Sequence, residues 1–586
     1  MTPSRSESSS THHVHQATRA LSALRDSLTA LSMPYVLQGT AAASDKATLI
    51  RDQLGDYVLP RLASLDAPLL AVVGGSTGAG KSTLVSSLVR RHVARASAIR
   101  PTTRRPLLLH APTDAAWFDT DRVLGSLSRM RVDADAPASP ATDHTPRELE
   151  LRACEGLPEG LAIVDAPDVD SVVEDNRDLA ATLLAGADLW IFVTTPARYA
   201  DQLVWNFLHD AAGRNLQVIV VLNKVEEDSG DSVPNDLRRM MDEAQLHDAE
   251  LIVIPDAGHV EDLLPTELVS ELGHRLSTLA ADAVARREMA AKTLLGAVGK
   301  LEERVGAIAH VKQQQETFAE QLNEGIADNY EAATRQVLNA TSDGQLLRKE
   351  VLNRWQDFVG TSDVFRTVER LYAQALDRIG RFFSGKPEPV REVETEIEEG
   401  LHAVIVDAAE TGATRSWGYI GSNAPILREG TDPSLAHASR DIGDRASSLV
   451  REWQGELMRN IEDSAGDKRM KARIMSFGIN AATVALMLVV FAGTAGLTGG
   501  EVAIAGGSAV VGQKLLETIF GEDAVRRMAN NARQSLNERV NKLFADEAER
   551  YYQLTDHLGD GTPAATLTEL ASDAVSHVHN QAKGNK

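Results

Sequence analysis

Leu69-Leu70-Ala71-Val72-Val73 runs into Gly74-Gly75-Ser76-Thr77-Gly78-Ala79-Gly80-Lys81-Ser82-Thr83, and Leu84, Val85 and Leu88 follow at helical spacing. An apolar strand, a glycine-rich turn and a helix in this order leave few folds open. Gly75 to Ser82 fits G-x-x-x-x-G-K-[ST], the phosphate-binding loop, or P-loop. Glycines let successive backbone N–H groups curl around phosphate oxygens, and the helix that follows aims its positive N-terminus at them. Lys81 is expected to reach the β- and γ-phosphates, and the Ser82 hydroxyl to take a place on Mg²⁺. The nucleotide contacts expected here are Gly75, Ser76, Thr77, Gly78, Ala79, Gly80, Lys81, Ser82 and Thr83. A plain glycine turn is the alternative, and a chance match arises in about 2 of 100 chains of this length at ordinary residue frequencies.

The P-loop predicts further strands, and the chain supplies them. Leu107 to Leu109, Leu161 to Val164, Leu189 to Val193, Val218 to Leu222 and Leu251 to Ile254 are short, apolar and separated by stretches of helix length or more. That alternation predicts an α/β domain with a mostly parallel sheet and helices on both faces. The run from Val132 to Pro146, rich in Ala, Asp and Pro, reads as a flexible insertion.

Carboxylates and amides stand at the ends of these strands. Asp165 ends the Leu161 strand, where a carboxylate beside a P-loop strand holds Mg²⁺. Asn223-Lys224-Val225-Glu226 nearly matches N-K-x-D, the element that reads guanine in the GTPases. A carboxylate there accepts hydrogen bonds from the guanine ring N–H and exocyclic amine, and Glu226 can do so with one extra methylene. The loop Arg100-Pro101-Thr102-Thr103-Arg104-Arg105-Pro106 carries hydroxyls where a nucleotide switch closes over Mg²⁺ and the γ-phosphate.

Taken in order, these elements resemble the G domain of the bacterial dynamin-like GTPases, within the wider class that includes the Era-type GTPases. The resemblance covers about residues 66 to 280. Thr103-Arg104-Arg105-Pro106-Leu107-Leu108-Leu109 looks like the dynamin switch I, which implies Thr103 as the Mg²⁺-side threonine. The resemblance implies GTP and Mg²⁺ as cofactors, Lys81 and Thr103 as catalytic residues, and Ser82, Thr103 and Asp165 at the metal. Asp168 stands where D-x-x-G has its glycine, with its backbone amide in reach of the γ-phosphate. Thr77-Gly78 replaces the Gln-Ser of the dynamins, and Val169 stands where a glutamine would orient water. These departures imply slow hydrolysis by a lone monomer, with catalysis completed when two G domains meet.

Outside that domain the pattern is helical. Leu21, Leu24, Leu28 and Leu31 form one stripe, and Leu294, Val298, Leu301, Val305 and Ile308 step 4-3-4-3 like a coiled-coil seam. Similar stripes recur at Phe318 and Leu322 and at Leu536, Val540 and Leu543. Arg354 to Gly360 reads as a helix end with a glycine cap, and Gly412 to Pro433 as a turn-rich connection.

Ile474 to Gly500 holds no charged residue across 27 positions, long enough to cross a bilayer core. Val502 to Gln513 is a second uncharged run. Lys468, Arg469, Lys471 and Arg473 precede the first, and Lys514, Arg526 and Arg527 follow the second. Positive flanks on both sides predict a hairpin with cytoplasmic ends. A reversibly inserting tip and a buried core helix are the alternatives.

The expected organisation is a disordered tail over 1–13, an N-terminal helix over 14–62 packing on the G domain or the bundle, and the G domain over 63–282. A helical bundle over 283–470, the apolar hairpin over 471–520 and a returning helical segment over 521–586 complete it. A net charge of −23 argues against nucleic acid as a partner. The single cysteine, Cys154, fits a reducing setting, and the Ser-rich N-terminus lacks a signal-peptide core.

The function expected is a GTPase on the cytoplasmic side of the cell membrane. It would self-assemble through its G domain and helical arm and couple GTP hydrolysis to membrane remodelling, fusion or tethering. The alternatives are an Era-like GTPase, a nucleotide-binding scaffold at the membrane, and an ATP-using P-loop protein of the ABC type.

Overall fold

The computed structural model describes residues 5–93, 105–134, 136, 147–171, 174–213, 216–226, 231–256, 263–342, 388–464, 471, 474, 478–491, 507–559 and 561–584. These divide into two compact units, one of Met1–Met33, Leu37–Gln314 and Gly561–Lys586, the other of Pro34–Val36 and Gln315–Asp560.

Among its described residues the first unit is built on eight strands: β1 (Leu69–Gly75), β2 (Leu107–His110), β3 (Ser128–Val132), β4 (Glu148–Ala153), β5 (Leu161–Asp165), β6 (Leu189–Thr194), β7 (Gln217–Val225) and β8 (Glu250–Pro255). Their order across the sheet is β3-β4-β2-β5-β1-β6-β7-β8. Every pairing is parallel except that of β2 with β5. β3 and β4 were not expected from the sequence; they flank the Ala-Asp-Pro insertion, most of which lies outside the described residues.

Strand periodicity sorts the core into two layers. Leu70, Val72, Val164, Trp190, Phe192 and Val220 meet α6 (Glu174–Ala185), α7 (Gln202–Gly213) and α8 (Ser232–Glu243) on one face. Ala71, Val73, Ile163, Ile191, Val193 and Val221 meet α4 (Lys81–Val89) and α9 (Thr266–Ala281) on the other. Both faces are covered, so β1, β5 and β6 are buried along their whole length.

The helices of this unit close a third core. Ala17, Leu21, Leu24 and Leu28 of α1 (Arg5–Thr29) pack with Leu294 and Val298 of α10 (Ala283–Gly299). Leu301, Val305 and Ile308, and Leu567, Ala571, Ala574 and Val578 of the Ala564–Gly584 helix, complete it. The N-terminal helix begins at Arg5, inside the stretch whose composition predicts a tail. Propagating a helix from a packed stripe is cheap once its nucleus exists.

A buried ion pair joins the helices to the end of the sheet away from the P-loop. Arg61, on the helix Leu59–Ala63, pairs with Asp188 just before β6. Asp188 also accepts the Leu70 amide at 2.8 Å and the Tyr57 hydroxyl at 3.0 Å. Arg61 donates to the Ala67 and Pro68 carbonyls at 2.9 and 2.7 Å. Every charge in the cluster has a partner, as burial requires.

The second unit is helical in its described residues. The Glu388–Asn423 helix runs straight through the first part of the stretch that Gly412 marks as a turn. Gly412 lies against the Tyr330 ring, where a Cβ would fall 2.9 Å from Cε1, so close packing accounts for the glycine. The turns come after Asn423, in short 3-10 segments at Pro425–Arg428 and Pro433–Ala436. Arg354 to Gly360 and its expected cap lie outside the described residues.

Of the apolar run from Ile474 to Gly500, Ile474 and residues 478–491 are described. Within them lies one 13-residue helix, Ile479–Phe491, buried from Ala481 through Phe491. The Trp453 ring lies tilted against Phe491 with centroids 5.7 Å apart, and it donates its indole N–H to the Ala532 carbonyl at 2.9 Å. Among the described residues no helix is long and apolar enough to cross a membrane. Neighbouring helices take up the apolar faces that a hairpin would give to lipid.

Candidate active site

β1 delivers the P-loop and α4 receives it, with Lys81 as the first helical residue. Two glycines are required by what surrounds them. A Cβ on Gly75 would fall 2.0 Å from the Val193 carbonyl oxygen, because β6 runs alongside. A Cβ on Gly80, at φ +94°, would fall 2.6 Å from Asn223 Nδ2.

The loop is braced from the end of β7. Asn223 Nδ2 donates to the Ala79 carbonyl at 2.8 Å, and Lys224 Nζ to the Gly78 carbonyl at 3.1 Å. Lys224 holds a left-handed φ of +64°, beside an irregularity in the β7–β8 register between Asn223 and Val225. The Asn223-Lys224 pair thus meets the phosphate loop, and Glu226 stands exposed just beyond the strand.

Lys81 is buried. Its Nζ donates to the Gly75 and Ser76 carbonyls at 3.1 Å each and pairs with the Asp168 carboxylate. Asp165, at the end of β5, accepts the Ser82 hydroxyl at 2.6 Å. Burial pushes the Asp165 carboxyl up to about 6, against the opposing pull of the Ser82 hydrogen bond and the Lys81 charge. Among the described residues, Asp165 Oδ1 and Ser76 Oγ are buried with no hydrogen-bond partner.

An orphaned carboxylate oxygen beside a serine hydroxyl at a helix N-terminus suits a hard cation with oxygen ligands. Ser82 and Asp165 would hold Mg²⁺, which would neutralise phosphate charge there. Thr103, the third residue expected at the metal, lies outside the described residues. Lys81, Ser82, Asp165, Asp168, Asn223 and Lys224 meet around the one loop, with Thr83 on the first turn of α4.

The motifs did not disclose Asp170 and Arg198. Thr77 donates both its amide and its hydroxyl to Asp170 Oδ1, each at 2.7 Å. Arg198, in the turn after β6, lies 3.6 Å from Asp170 Oδ2. The only sequence signal was an acid two residues past Asp168; its partner is remote in the chain.

A parallel sheet with a P-loop after β1, a hydroxyl–carboxylate pair at the helix N-terminus and an Asn-Lys brace from β7 define a P-loop GTPase domain. The sequence pattern of the Dynamin family matches residues 70–225. Residues 70–225 are thus a G domain of the Dynamin family, and such a domain is a GTP hydrolase.

No curated protein matches. A solved structure of an oligomerised bacterial dynamin pair, described as sensing and tethering membranes at long range, is 12% identical. It covers 97% of this chain and 95% of its own, with a TM-score of 0.38. The bacterial dynamin GTPase LeoA from ETEC is 13% identical over 98% of this chain and 99% of its own, with a TM-score of 0.23. Era bound to MgGDPNP and 16S ribosomal RNA is 20% identical over 36% of this chain and 56% of its own, with a TM-score of 0.21.

Proposed function

We propose that this GTPase works at a membrane, coupling GTP binding and hydrolysis to G-domain pairing and to movement of a helical arm. Membrane remodelling, fusion or tethering is the work done, and self-association is the working state. The carrying observation is the Ile479–Phe491 helix, apolar on every face from Val484 to Phe491. A bundle helix needs only one apolar stripe, so a helix without a polar face is suited to a second, lipid environment. Cationic residues flank the run on both sides, as an approach to an anionic cytoplasmic leaflet requires. The reading is a reversibly exposed hairpin, buried in one state and inserted in another.

Within the site, Lys81 and the loop amides bind and orient the phosphates. Ser82, Thr103 and Asp165 serve the metal, and Glu226 selects guanine. The test is GTP turnover measured with and without liposomes over a wide range of protein concentration. Stimulation by lipid and by concentration, for GTP and not for ATP, is expected. Turnover per molecule that stays flat across both ranges rejects the coupling.

A second reading, a nucleotide-binding scaffold with little turnover, is favoured by Asp168 on Lys81. A Lys81→Ala protein that still supports the cellular role selects it.

A further inference from the structure

The Ile479–Phe491 helix is held in its bundle by two kinds of contact, and they differ in what a bilayer could replace. The greater part is apolar packing, with Ala481 through Phe491 buried. Hydrocarbon solvates such a surface about as well as neighbouring side chains do, so packing alone selects neither environment. The helix's one hydroxyl, on Thr483, donates to the Ile479 carbonyl at 3.0 Å. That bond lies within the helix and survives in either environment.

The second kind is directional, and one residue supplies it. Arg533, on the helix Glu522–Gly559, donates Nε to the Val490 carbonyl at 3.2 Å. Its Nη2 reaches the same carbonyl at 3.0 Å and that of Val489 at 3.5 Å. Among the described residues, the other directional contact from a neighbouring helix is Gln454 Nε2 to Met487 Sδ, at 3.8 Å. A thioether is a weak acceptor. Val489 and Val490 lie in the last turn of Ile479–Phe491, where the helix dipole favours a cation. The Arg533 guanidinium is half-buried and makes no ion pair among the described residues, and burial lowers its affinity for the proton. A desolvated cation is thus spent on two backbone carbonyls, and lipid hydrocarbon has no donor to take its place.

We infer that Arg533 is the latch that retains the apolar helix in the protein core, its fork on the Val489 and Val490 carbonyls biasing the helix against release to a bilayer. This rests on the membrane reading proposed above and adds the regulation of that step. Protein and lipid offer the helix similar apolar surroundings, so the polar contact decides the balance. A charge-assisted hydrogen bond is worth about ten-fold or more in such an equilibrium.

The experiment is flotation of the full-length protein with vesicles of phosphatidylcholine and phosphatidylglycerol, without nucleotide and with a non-hydrolysable GTP analogue. Maleimide labelling of Leu488→Cys in a Cys154→Ser background is followed in parallel without lipid. Arg533→Met keeps the aliphatic stem and removes every donor. It is expected to raise nucleotide-free vesicle affinity and the labelling rate about ten-fold each. Arg533→Lys keeps the charge without the fork and should shift both the same way, by about three-fold. Arg526→Met removes a cation of the same helix that pairs with Glu522 at the surface, and it should raise neither. The sign discriminates, because an arginine that served only to attract anionic lipid would lose affinity on removal. If the parent binds vesicles and Arg533→Met binds them equally or less well, the inference falls and the membrane reading stands. If neither parent nor variants bind vesicles in either nucleotide state, both fall together. Should urea unfolding show that Arg533→Met does not fold, Arg533→Lys decides by the same signs.

Discussion

Asp168 pairs with Lys81, the lysine that the P-loop places for the phosphates. The same ammonium holds the Gly75 and Ser76 carbonyls at 3.1 Å. A lysine held by a carboxylate must give up that partner to serve a phosphate, so Asp168 competes with the nucleotide for one charge.

Removing that competitor should tighten binding. Asp168→Asn keeps the shape and drops the charge, and a gain of about ten-fold in guanine-nucleotide affinity, some 1.4 kcal/mol, is expected. Titration with a fluorescent GDP or GTP analogue checks it. Unchanged affinity would mean that the pair opens at no cost.

Asp165 gives a pH dependence with a definite sign. Its carboxyl is raised from 3.8 to about 6 by burial. The folded state therefore favours the protonated form. That contribution is complete below pH 4 and is lost as pH rises through 6. Asp165→Asn should stabilise the metal-free protein by up to about 3 kcal/mol at pH 7–8 and by nothing near pH 4. Denaturant unfolding in EDTA across this range is the measurement. The same substitution should cost Mg²⁺-dependent nucleotide affinity, because the cation needs the ionised group.

Arg61 and Asp188 tie the helices to the start of β1 and β6. Asp188→Ala leaves a buried guanidinium without its acid and should cost about 3–5 kcal/mol in urea unfolding. Replacing both partners, as Arg61→Met with Asp188→Leu, should be milder, since no charge is then left buried alone. Equal losses for the single and double changes would show that the pair contributes packing and not charge.

Glu226 tests the base preference. Glu226→Ala should narrow the gap between GTP and ATP in competition binding by ~10-fold or more, because the guanine N–H groups lose their acceptor. A gap that is unaffected would place guanine reading elsewhere.

The buried apolar helix offers a direct probe. Cys154 is itself buried, so Leu488→Cys in a Cys154→Ser background reports one position. Leu488 is fully buried, and its replacement should resist a water-soluble maleimide in the absence of lipid. An environment-sensitive label placed there on the unfolded chain should shift on adding liposomes and GTP if the helix is released into the bilayer.

The P-loop, the strand order of apolar runs and the helical stripes were legible in the residues. Glycine tolerance, strand alternation and helix periodicity act over neighbouring positions, so a linear pattern carries them. Asp165 and Asn223-Lys224 were legible because parallel strands bring their carboxyl ends to one edge. Four features were not. Thr77 and Asp170 are 93 positions apart, and Arg61 and Asp188 are 127 apart; no local rule pairs them. The Gly412 turn became a helix because the Tyr330 ring needed the space. The uncharged run from Ile474 fits lipid or a protein core equally well, since both are apolar solvents. Its described part lies in the core because neighbouring helices supply enough apolar surface to cover Ala481 through Phe491.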